Sequence, residues 1–201
     1  MGYEREDISA AISVLRSGGI VVYPTDTVWG IGCDATNASS VARVYELKRR
    51  ADSKSMLVLV DSVGRLERYV DVPDAAWQLL EAYSSDSTDE TLLSALRPLT
   101  IIYPGARGLA PNLLAEDGSV GVRVSREPFS QALCRGLGRP IVSTSANVSG
   151  CPTARYFGEI AEEILSGADY VCRYRREDTT PHEPSSIIKV GSRNEITIIR
   201  P

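Results

Sequence analysis

The apolar positions near the start of the chain recur with the period of a helix. Asp7 stands at the predicted N-terminus of this helix, Gly18 and Gly19 end it, and its apolar stripe consists of Ile8, Ala11, Ile12 and Leu15. A short β-branched and aromatic run at 20–23 then predicts a strand, which Pro24 ends. Residues 25–27 therefore occupy the loop beyond the carboxyl end of a strand, where α/β folds often bind ligands.

Further along the chain, helical and strand patterns alternate. Residues 39–49 carry apolar or aromatic positions spaced by three or four, which predicts a helix, and the continuous apolar run 56–60 predicts a buried strand. The other predicted helices cover 75–83, 87–96, 128–137 and 157–165, and the other predicted strands cover 99–103, 119–124, 140–143, 170–172, 186–190 and 195–200. Ser87 and Glu90 resemble a capping box at the start of the helix 87–96. The alternation predicts an α/β fold with a twisted mixed sheet flanked by helices.

Composition and charge narrow the class of protein. The chain has 201 residues, of which 43% are apolar and 24% charged, and we expect a soluble protein with one domain spanning residues 1–201. The first residues do not resemble a signal peptide, which favours a cytoplasmic location with no membrane attachment. A net charge of −4 argues against a surface built mainly to bind nucleic acid. Four scattered cysteines, expected to be reduced and buried, and one histidine predict neither a zinc site nor a catalytic triad.

A cationic segment stands at the end of the second predicted helix. Lys48 and Arg50 are two positions apart, and on a continuous helix such residues point in different directions. If both contact one ligand, the helix must end between them, and the polar residues that follow would bring Lys54 to the same place. The alternative is that these cations only complement the helix dipole in its last turn. The segment alone leaves both interpretations open.

A hydroxyl-rich segment at 143–150 follows a predicted strand. Extended residues two apart share a face, so Ser143, Ser145 and Asn147 would point to the same side. The alternative is a turn whose side chains hydrogen-bond their own backbone, ended by Gly150. Taken with the cationic segment, this stretch supplies the hydroxyl and amide groups that suit a bound polyphosphate.

Four ordered motifs carry a resemblance to a known family; they lie at 23–32, 45–50, 120–124 and 143–150. With these motifs the chain resembles the YrdC/Sua5 family, the threonylcarbamoyl-AMP synthases that begin t6A formation in tRNA. The family's Lys, Arg, Ser, Asn tetrad coincides with Lys48, Arg50, Ser145 and Asn147. The resemblance runs from about Ile8 to Arg200, and it implies a YrdC/RibB-like fold in the short, single-domain form.

The resemblance implies a reaction in which L-threonine, bicarbonate or CO2, and ATP are joined with release of pyrophosphate. It also implies Mg2+ bound to the ATP substrate and a downstream t6A transferase complex that takes the product. The implied threonine-binding positions are Thr27, Arg123 and Ser143, and the implied ATP-binding positions are Arg50, Lys54, Ser119, Ser145, Thr153, Ser185 and Arg200. Because a carbamate nucleophile is already an anion, its attack on phosphorus needs no strong protein base. The scarcity of histidine is consistent with such chemistry.

Departures from the family pattern keep alternatives open. Ala51 stands where proline commonly follows Lys-x-Arg, and Leu59 occupies a position where some members place a polar threonine contact, so another amino acid is an alternative substrate. Two other functions remain: a YciO-like paralogue, whose members usually lack the complete Ser-x-Asn element, and a noncatalytic RNA-binding module. For the enzyme, at most weak RNA binding is expected. Asp26 or Asp34 could lie near a magnesium ion, although no carboxylate cluster singles out a metal site.

Overall fold

The computed structural model describes residues 2–50, 56–84, 97–182 and 184–201, which form an α/β fold around a mixed sheet. Within these ranges the strands are β1 (Val21–Tyr23), β2 (Gly30–Gly32), β3 (Leu57–Val60), β4 (Leu99–Tyr103), β5 (Val120–Val124), β6 (Ile141–Ser145), β7 (Tyr170–Val171), β8 (Ser186–Val190) and β9 (Ile196–Arg200). The helices are α1 (Gly2–Arg16), α2 (Ala38–Leu47), α3 (Val63–Leu66), α4 (Asp74–Ser84), α5 (Pro128–Leu137) and α6 (Glu162–Gly167), with 3₁₀ turns at Pro111–Leu113 and Phe157–Glu159. The predicted helix 87–96 lies outside the described residues.

The sheet order brings the predicted site segments side by side. The strands follow one another as β7-β1-β2-β6-β3-β5-β4-β8-β9, with β3 parallel to β5 and β6 antiparallel to both of its neighbours. In this register Ser145 pairs with Gly30, Ser143 with Leu57, and Leu59 with Arg123. The hydroxyl-rich segment therefore lies between the loop that precedes β2 and the strand that carries Arg123. The expectation of a mixed sheet is confirmed.

Helices cover both faces of this sheet, as predicted. Successive residues of a strand point to opposite faces, and in β1 Val22 belongs to one buried cluster while Val21 and Tyr23 belong to the other. The first cluster packs against α2 and α4, and the second packs against α1 and α5. A Cβ added at Gly136 of α5 would collide with Ile12 of α1, so this glycine permits the two helices to pack closely. The central strands are thereby held rigidly between two layers.

Asp7 does not cap the first helix, which corrects the prediction made from the sequence. The helix α1 begins at Gly2, so Asp7 lies within it, where it is almost completely buried. Its carboxylate accepts hydrogen bonds from the Tyr170 hydroxyl at 2.7 Å and from the backbone N–H groups of Arg173 and Tyr174 at 2.8 Å each. These partners are remote in sequence, and for that reason no local pattern reveals them.

The single helix predicted at 157–165 is also wrong. The chain instead forms the 3₁₀ turn Phe157–Glu159, an extended pair at Ile160 and Ala161, and the short helix α6. The Phe157 ring packs 5.0 Å from the Trp29 ring and beneath the guanidinium of Arg176, and these contacts belong to distant parts of the chain. Tertiary packing thus overrides the helical spacing.

Three of the four cysteines are buried, as expected. Cys33, Cys134 and Cys172 are buried free thiols, whereas Cys151 is exposed. Among the described residues, none of the helices combines the length and apolar character that crossing a membrane requires.

Candidate active site

The helix α2 ends at the cationic segment that carries Lys48 and Arg50. Lys48 is the last residue with helical angles, and Arg49 then adopts a left-handed conformation with φ of 49°. The N–H of Arg49 donates to the Glu46 carbonyl and that of Arg50 to the Tyr45 carbonyl, each at 2.9 Å, which is the hydrogen-bond pattern of a Schellman motif. This reversal lets Lys48 and Arg50 line one cavity, as the sequence analysis required.

Hydrogen bonds of Lys48 hold the hydroxyl-rich segment against the end of α2. Its side chain is buried, and its ammonium group donates to the carbonyl of Ser145 and, at 2.6 Å, to the carbonyl of Asn147. The backbone N–H of Ser149 donates in turn to the Lys48 carbonyl at 2.8 Å. Burial, and secondarily the charge of Arg50, lower the pKa of Lys48 to about 8. Lys48 therefore holds the loop as well as supplying a cation.

Asn147 has its amide nitrogen satisfied by protein and its amide oxygen unpaired. Its Nδ2 donates to the carbonyls of Val148 at 3.0 Å and Cys151 at 2.8 Å. In the described part of the chain, Oδ1 of Asn147 and Oγ of Ser149 are buried with no hydrogen-bond partner. Buried polar atoms in native proteins usually have partners, so these two oxygens are exceptions to the usual pattern. Both residues line a cavity of about 380 Å³, whose full lining is Lys48, Arg49, Arg50, Ser145, Asn147, Ser149 and Gly150.

A larger cleft, of about 790 Å³, adjoins this cavity. Arg50 and Ser145 line both, so the two spaces share a wall. The predicted site residues that line the cleft are Thr27, Arg50, Ser119, Arg123, Ser143, Ser145, Thr153, Ser185 and Arg200. Lys48 and Asn147 line the smaller cavity, and Lys54 lies outside the described residues. Every described residue of the predicted site thus borders one of two adjoining spaces.

Arg123 is fixed on β5 by partners that the sequence analysis did not assign to it. Its Nη1 donates to Asp26 Oδ1 at 2.6 Å and to Thr27 Oγ1 at 3.0 Å, and its Nε donates to Thr100 Oγ1 at 3.2 Å. The side chains of Arg123 and Asp26 are 4% and 8% exposed, so the ion pair is shielded from water. Such a guanidinium is preoriented for a carboxylate in the cleft. Asp26 stands inside the 23–32 motif, but no sequence signal names its partner.

The cleft is also lined by a second polar cluster. The Ser119 hydroxyl donates to Asp117, and the ammonium of Lys189 pairs with the same carboxylate. Lys189 and Ser119 hold the pKa of Asp117 well below its usual range. Ser185 is fully buried, and its carbonyl accepts from Nε of Arg200 at 2.7 Å. Asp117, Lys189 and Thr100 also line the cleft and were missed from the sequence, because neither a local pattern nor the family resemblance marks them.

Both aspartates considered for magnesium are paired with arginine side chains. Asp26 is paired with Arg123, and Asp34 accepts from the backbone and hydroxyl of Thr36 at 2.9 and 2.7 Å and pairs with Arg139. Neither aspartate lines the cleft or the smaller cavity. Among the described residues, no group of three or more His, Cys, Asp or Glu side chains could hold a metal ion. The described side chains therefore do not provide a set of ligands that could enclose a metal ion.

The fold and the cleft together define an α/β protein in which a cavity lined by Lys48, Arg49 and Arg50 adjoins a cleft lined by Arg123. A family model named Sua5_yciO_yrdC, described as "Telomere recombination", matches residues 13–201. This chain belongs to the Sua5/YciO/YrdC family.

Known proteins resemble the chain over most of its length. A threonylcarbamoyl-AMP synthase of Xanthomonas euvesicatoria pv. vesicatoria is 34% identical over 82% of this chain and 84% of its own. The structure of P. abyssi Sua5 complexed with L-threonine matches with a TM-score of 0.73 and 24% identity, over 93% of this chain and 51% of that protein. E. coli YciO matches with a TM-score of 0.80 and 23% identity, over 98% of this chain and 89% of that protein. The two structural matches show the shared fold.

Proposed function

We propose that this protein is a threonylcarbamoyl-AMP synthase, which joins L-threonine, bicarbonate or CO2, and ATP and releases pyrophosphate. The observation that carries the proposal is that Arg50 and Ser145 border both the cavity of Asn147 and the cleft of Arg123. A site for phosphates and a site for an amino-acid carboxylate thereby adjoin. The names of the similar synthases and the threonine complex of Sua5 support the same conclusion. This reaction is the first step in t6A formation, and its product is used in the later steps.

The proposed chemistry has two steps. The threonine amine first adds to CO2, forming an N–C bond and releasing a proton, which gives a carbamate. A carbamate oxygen then attacks the α-phosphorus of ATP, and the bond from that phosphorus to the bridging oxygen of pyrophosphate breaks. Since both reactants are anions, their repulsion is the main obstacle. We assign Arg123, Thr27 and Ser143 to threonine, and Lys48, Arg50, Ser145 and Asn147 to the reacting phosphates.

The remaining nucleotide contacts are assigned to other residues that line the cleft. Ser119, Thr153, Ser185 and Arg200 border that space, and Lys54 completes the proposed set. Mg2+ arrives bound to ATP and neutralises part of the phosphate charge. We treat residues 1–201 as one domain acting in the cytoplasm. The product passes to a t6A transferase complex, and direct binding to RNA is weak because the net charge is −4.

Pyrophosphate release tests the proposal. Purified protein is given ATP, L-threonine and labelled bicarbonate, and each is omitted in turn; we expect release only when all three are present. Release that is unaffected by omitting threonine rejects the proposed function and favours a YciO-like paralogue with a different substrate. Tight tRNA binding in a gel shift, falling steeply with salt and without ATP turnover, would instead favour the RNA-binding module.

A further inference from the structure

Two buried hydroxyl groups lie between two arginines of the cleft. The hydroxyl oxygens of Thr100 and Ser185 are 2.9 Å apart, and both residues are almost completely buried. Nε of Arg123 donates to the Thr100 hydroxyl at 3.2 Å. On the other side, Nη2 of Arg200 donates to the Ser185 hydroxyl at 3.4 Å, and its Nε donates to the Ser185 carbonyl at 2.7 Å. A continuous hydrogen-bonded chain therefore joins the two cations.

The sheet fixes the positions of both hydroxyl groups. Thr100 lies on β4, which is paired with β5 on one side and with β8 on the other. Ser185 directly precedes β8, where Ser186 pairs with Leu99 and its N–H donates to the Pro98 carbonyl at 3.0 Å. The hydrogen bond between the two hydroxyls, called the bridge below, is thus anchored to the paired strands β4 and β8. A side chain on a regular element, such as Thr100, is positioned more accurately than a side chain on a loop.

The hydrogen-bond pattern orients both guanidinium groups. Each hydroxyl oxygen accepts from its own arginine, and one hydroxyl then gives its proton to the other. Arg123 is also held by Asp26, so the chain extends from the Asp26 carboxylate to Arg200. After burial, the charge of Arg123 is the second cause of the lowered pKa of Arg200. The two cations are therefore linked by contact and by charge.

We propose that Thr100 and Ser185 are positioning residues that couple Arg123 to Arg200, so that an amino-acid carboxylate bound by Arg123 strengthens nucleotide binding by Arg200. The assignment of the amino acid and the nucleotide to these two arginines rests on the proposed function. A carboxylate that moves the Arg123 guanidinium changes the hydrogen bond that its Nε donates to Thr100, and the bond between Thr100 and Ser185 transmits this change to Arg200, so that one ligand sets the position of the guanidinium that the other ligand binds. The coupling is reciprocal, because each ligand changes the affinity for the other by the same factor.

Calorimetric titration of L-threonine, with and without a nonhydrolysable ATP analogue, measures this coupling. Bicarbonate is left out so that no turnover occurs. For the wild type we expect the analogue to tighten threonine binding by about fivefold or more, the lower range of measured allosteric couplings. Thr100→Val removes the bridging hydroxyl but keeps the branched shape, and it should reduce the coupling factor to near one. Thr100→Ser keeps the hydroxyl and should retain the coupling.

Further variants separate coupling from general damage. Ser185→Ala breaks the bridge from the other side and should also lower the coupling factor, which keeps the test decisive if Thr100→Val folds poorly. Thr197→Val makes the same substitution on exposed β9, and it should leave the coupling unchanged. Wild-type coupling retained in both Thr100→Val and Ser185→Ala overturns the proposal. So does a wild type that releases pyrophosphate yet shows no coupling, whereas coupling without pyrophosphate release rejects only the synthase.

Discussion

The ammonium group of Lys48 lies 2.6 Å from the carbonyl oxygen of Asn147, so the last residue of α2 holds the loop that carries the asparagine. The same ammonium also bonds the Ser145 carbonyl. The positions of the four tetrad residues are therefore interdependent, since one side chain from the cationic segment fixes the backbone of the other segment. Loss of Lys48 removes both a positive charge and the support of Ser145 and Asn147.

The pH dependence of turnover should reflect the lowered pKa of Lys48. The charged form predominates in the free protein only below a pH of about 8. We expect kcat/KM for ATP, which reflects ionisation of the free enzyme, to fall as the pH rises above that value. Arginine does not titrate in this range, so a weakly active Lys48→Arg variant should lack the decline. A decline of equal size in Lys48→Arg would show that another group is responsible.

Stability should change in the opposite direction over the same pH range. The pKa of Lys48 is about 8 in the folded protein and 10.5 in an unfolded chain, so between these values the unfolded state binds more protons. The free energy of unfolding of the wild type should therefore rise with pH across this window, relative to Lys48→Met, by on the order of 1–3 kcal/mol. Urea unfolding of both proteins at pH 7 and near pH 10 measures the difference. A constant difference would contradict the assigned pKa.

Arg50 should be essential for turnover while being dispensable for folding. It borders both the cleft and the smaller cavity, and the proposed function assigns it to the reacting phosphates. Losing one preorganised donor of this kind typically costs about 10²–10³ in rate, so we expect Arg50→Ala to lose at least about 10²-fold in kcat. Arg68→Ala, at an exposed arginine outside both linings, is the matched control. Wild-type turnover in Arg50→Ala would show that the phosphate assignment is wrong.

Local patterns predicted the elements better than they predicted side-chain partners. A helix end between Lys48 and Arg50 was one of the two interpretations left open, and α5 was predicted with its observed bounds, Pro128–Leu137. The strand predicted at 140–143 is longer in the structure because Thr144 and Ser145 pair with Ile31 and Gly30. Pairing across a sheet depends on strand order, which one sequence does not encode locally.

Contacts between residues that are remote in sequence explain the other differences between the predicted and the observed structure. Asp7 was predicted to cap α1 because it precedes the apolar stripe, whereas three donors near residues 170–174 bind its carboxylate. Asp26 and Thr100 reach Arg123 across 97 and 23 residues of chain. The family resemblance therefore identified many of the residues that line the cleft, and the fold identified the others and the partners that orient them.

The buried pair of Asp26 and Arg123 should be needed for threonine binding more than for stability. Asp26→Ala leaves a buried guanidinium without its carboxylate, and such changes typically cost about 3–5 kcal/mol. Replacing both partners with apolar residues, as in Asp26→Leu with Arg123→Met, should recover much of that loss. The double variant should nevertheless show no measurable threonine binding by calorimetry.

Two outcomes would contradict this account of the pair. A double variant no more stable than Asp26→Ala, as measured by urea unfolding, would mean that the buried charge is not the cause of the loss. Threonine affinity close to that of the wild type in the double variant would remove Arg123 from the substrate site. Asp61→Asn, which alters an aspartate paired with Arg65 away from both linings, controls for loss of an ion pair in general.

Removal of divalent cations should abolish turnover without lowering stability. The described residues provide no cluster of three or more metal-binding side chains, so the proposed Mg2+ is held by ATP. We expect EDTA to stop pyrophosphate release and excess Mg2+ to restore it. Thermal melting of the protein alone should not change with EDTA. A clear fall in melting temperature would indicate a structural metal held by the protein.

Arg49 is held in a backbone conformation that favours glycine, and replacing it should reveal the cost. Its φ of 49° lies in the left-handed region, which costs a residue with a side chain about 1–2 kcal/mol. Arg49→Gly and Arg49→Ala both remove the exposed ion pair with Glu163, but only glycine relieves the backbone strain. After allowing for the greater freedom of glycine in the unfolded chain, we expect Arg49→Gly to exceed Arg49→Ala in free energy of unfolding by about 0.5–1 kcal/mol. Equal stabilities would mean that the turn after Lys48 is relaxed with any residue at this position.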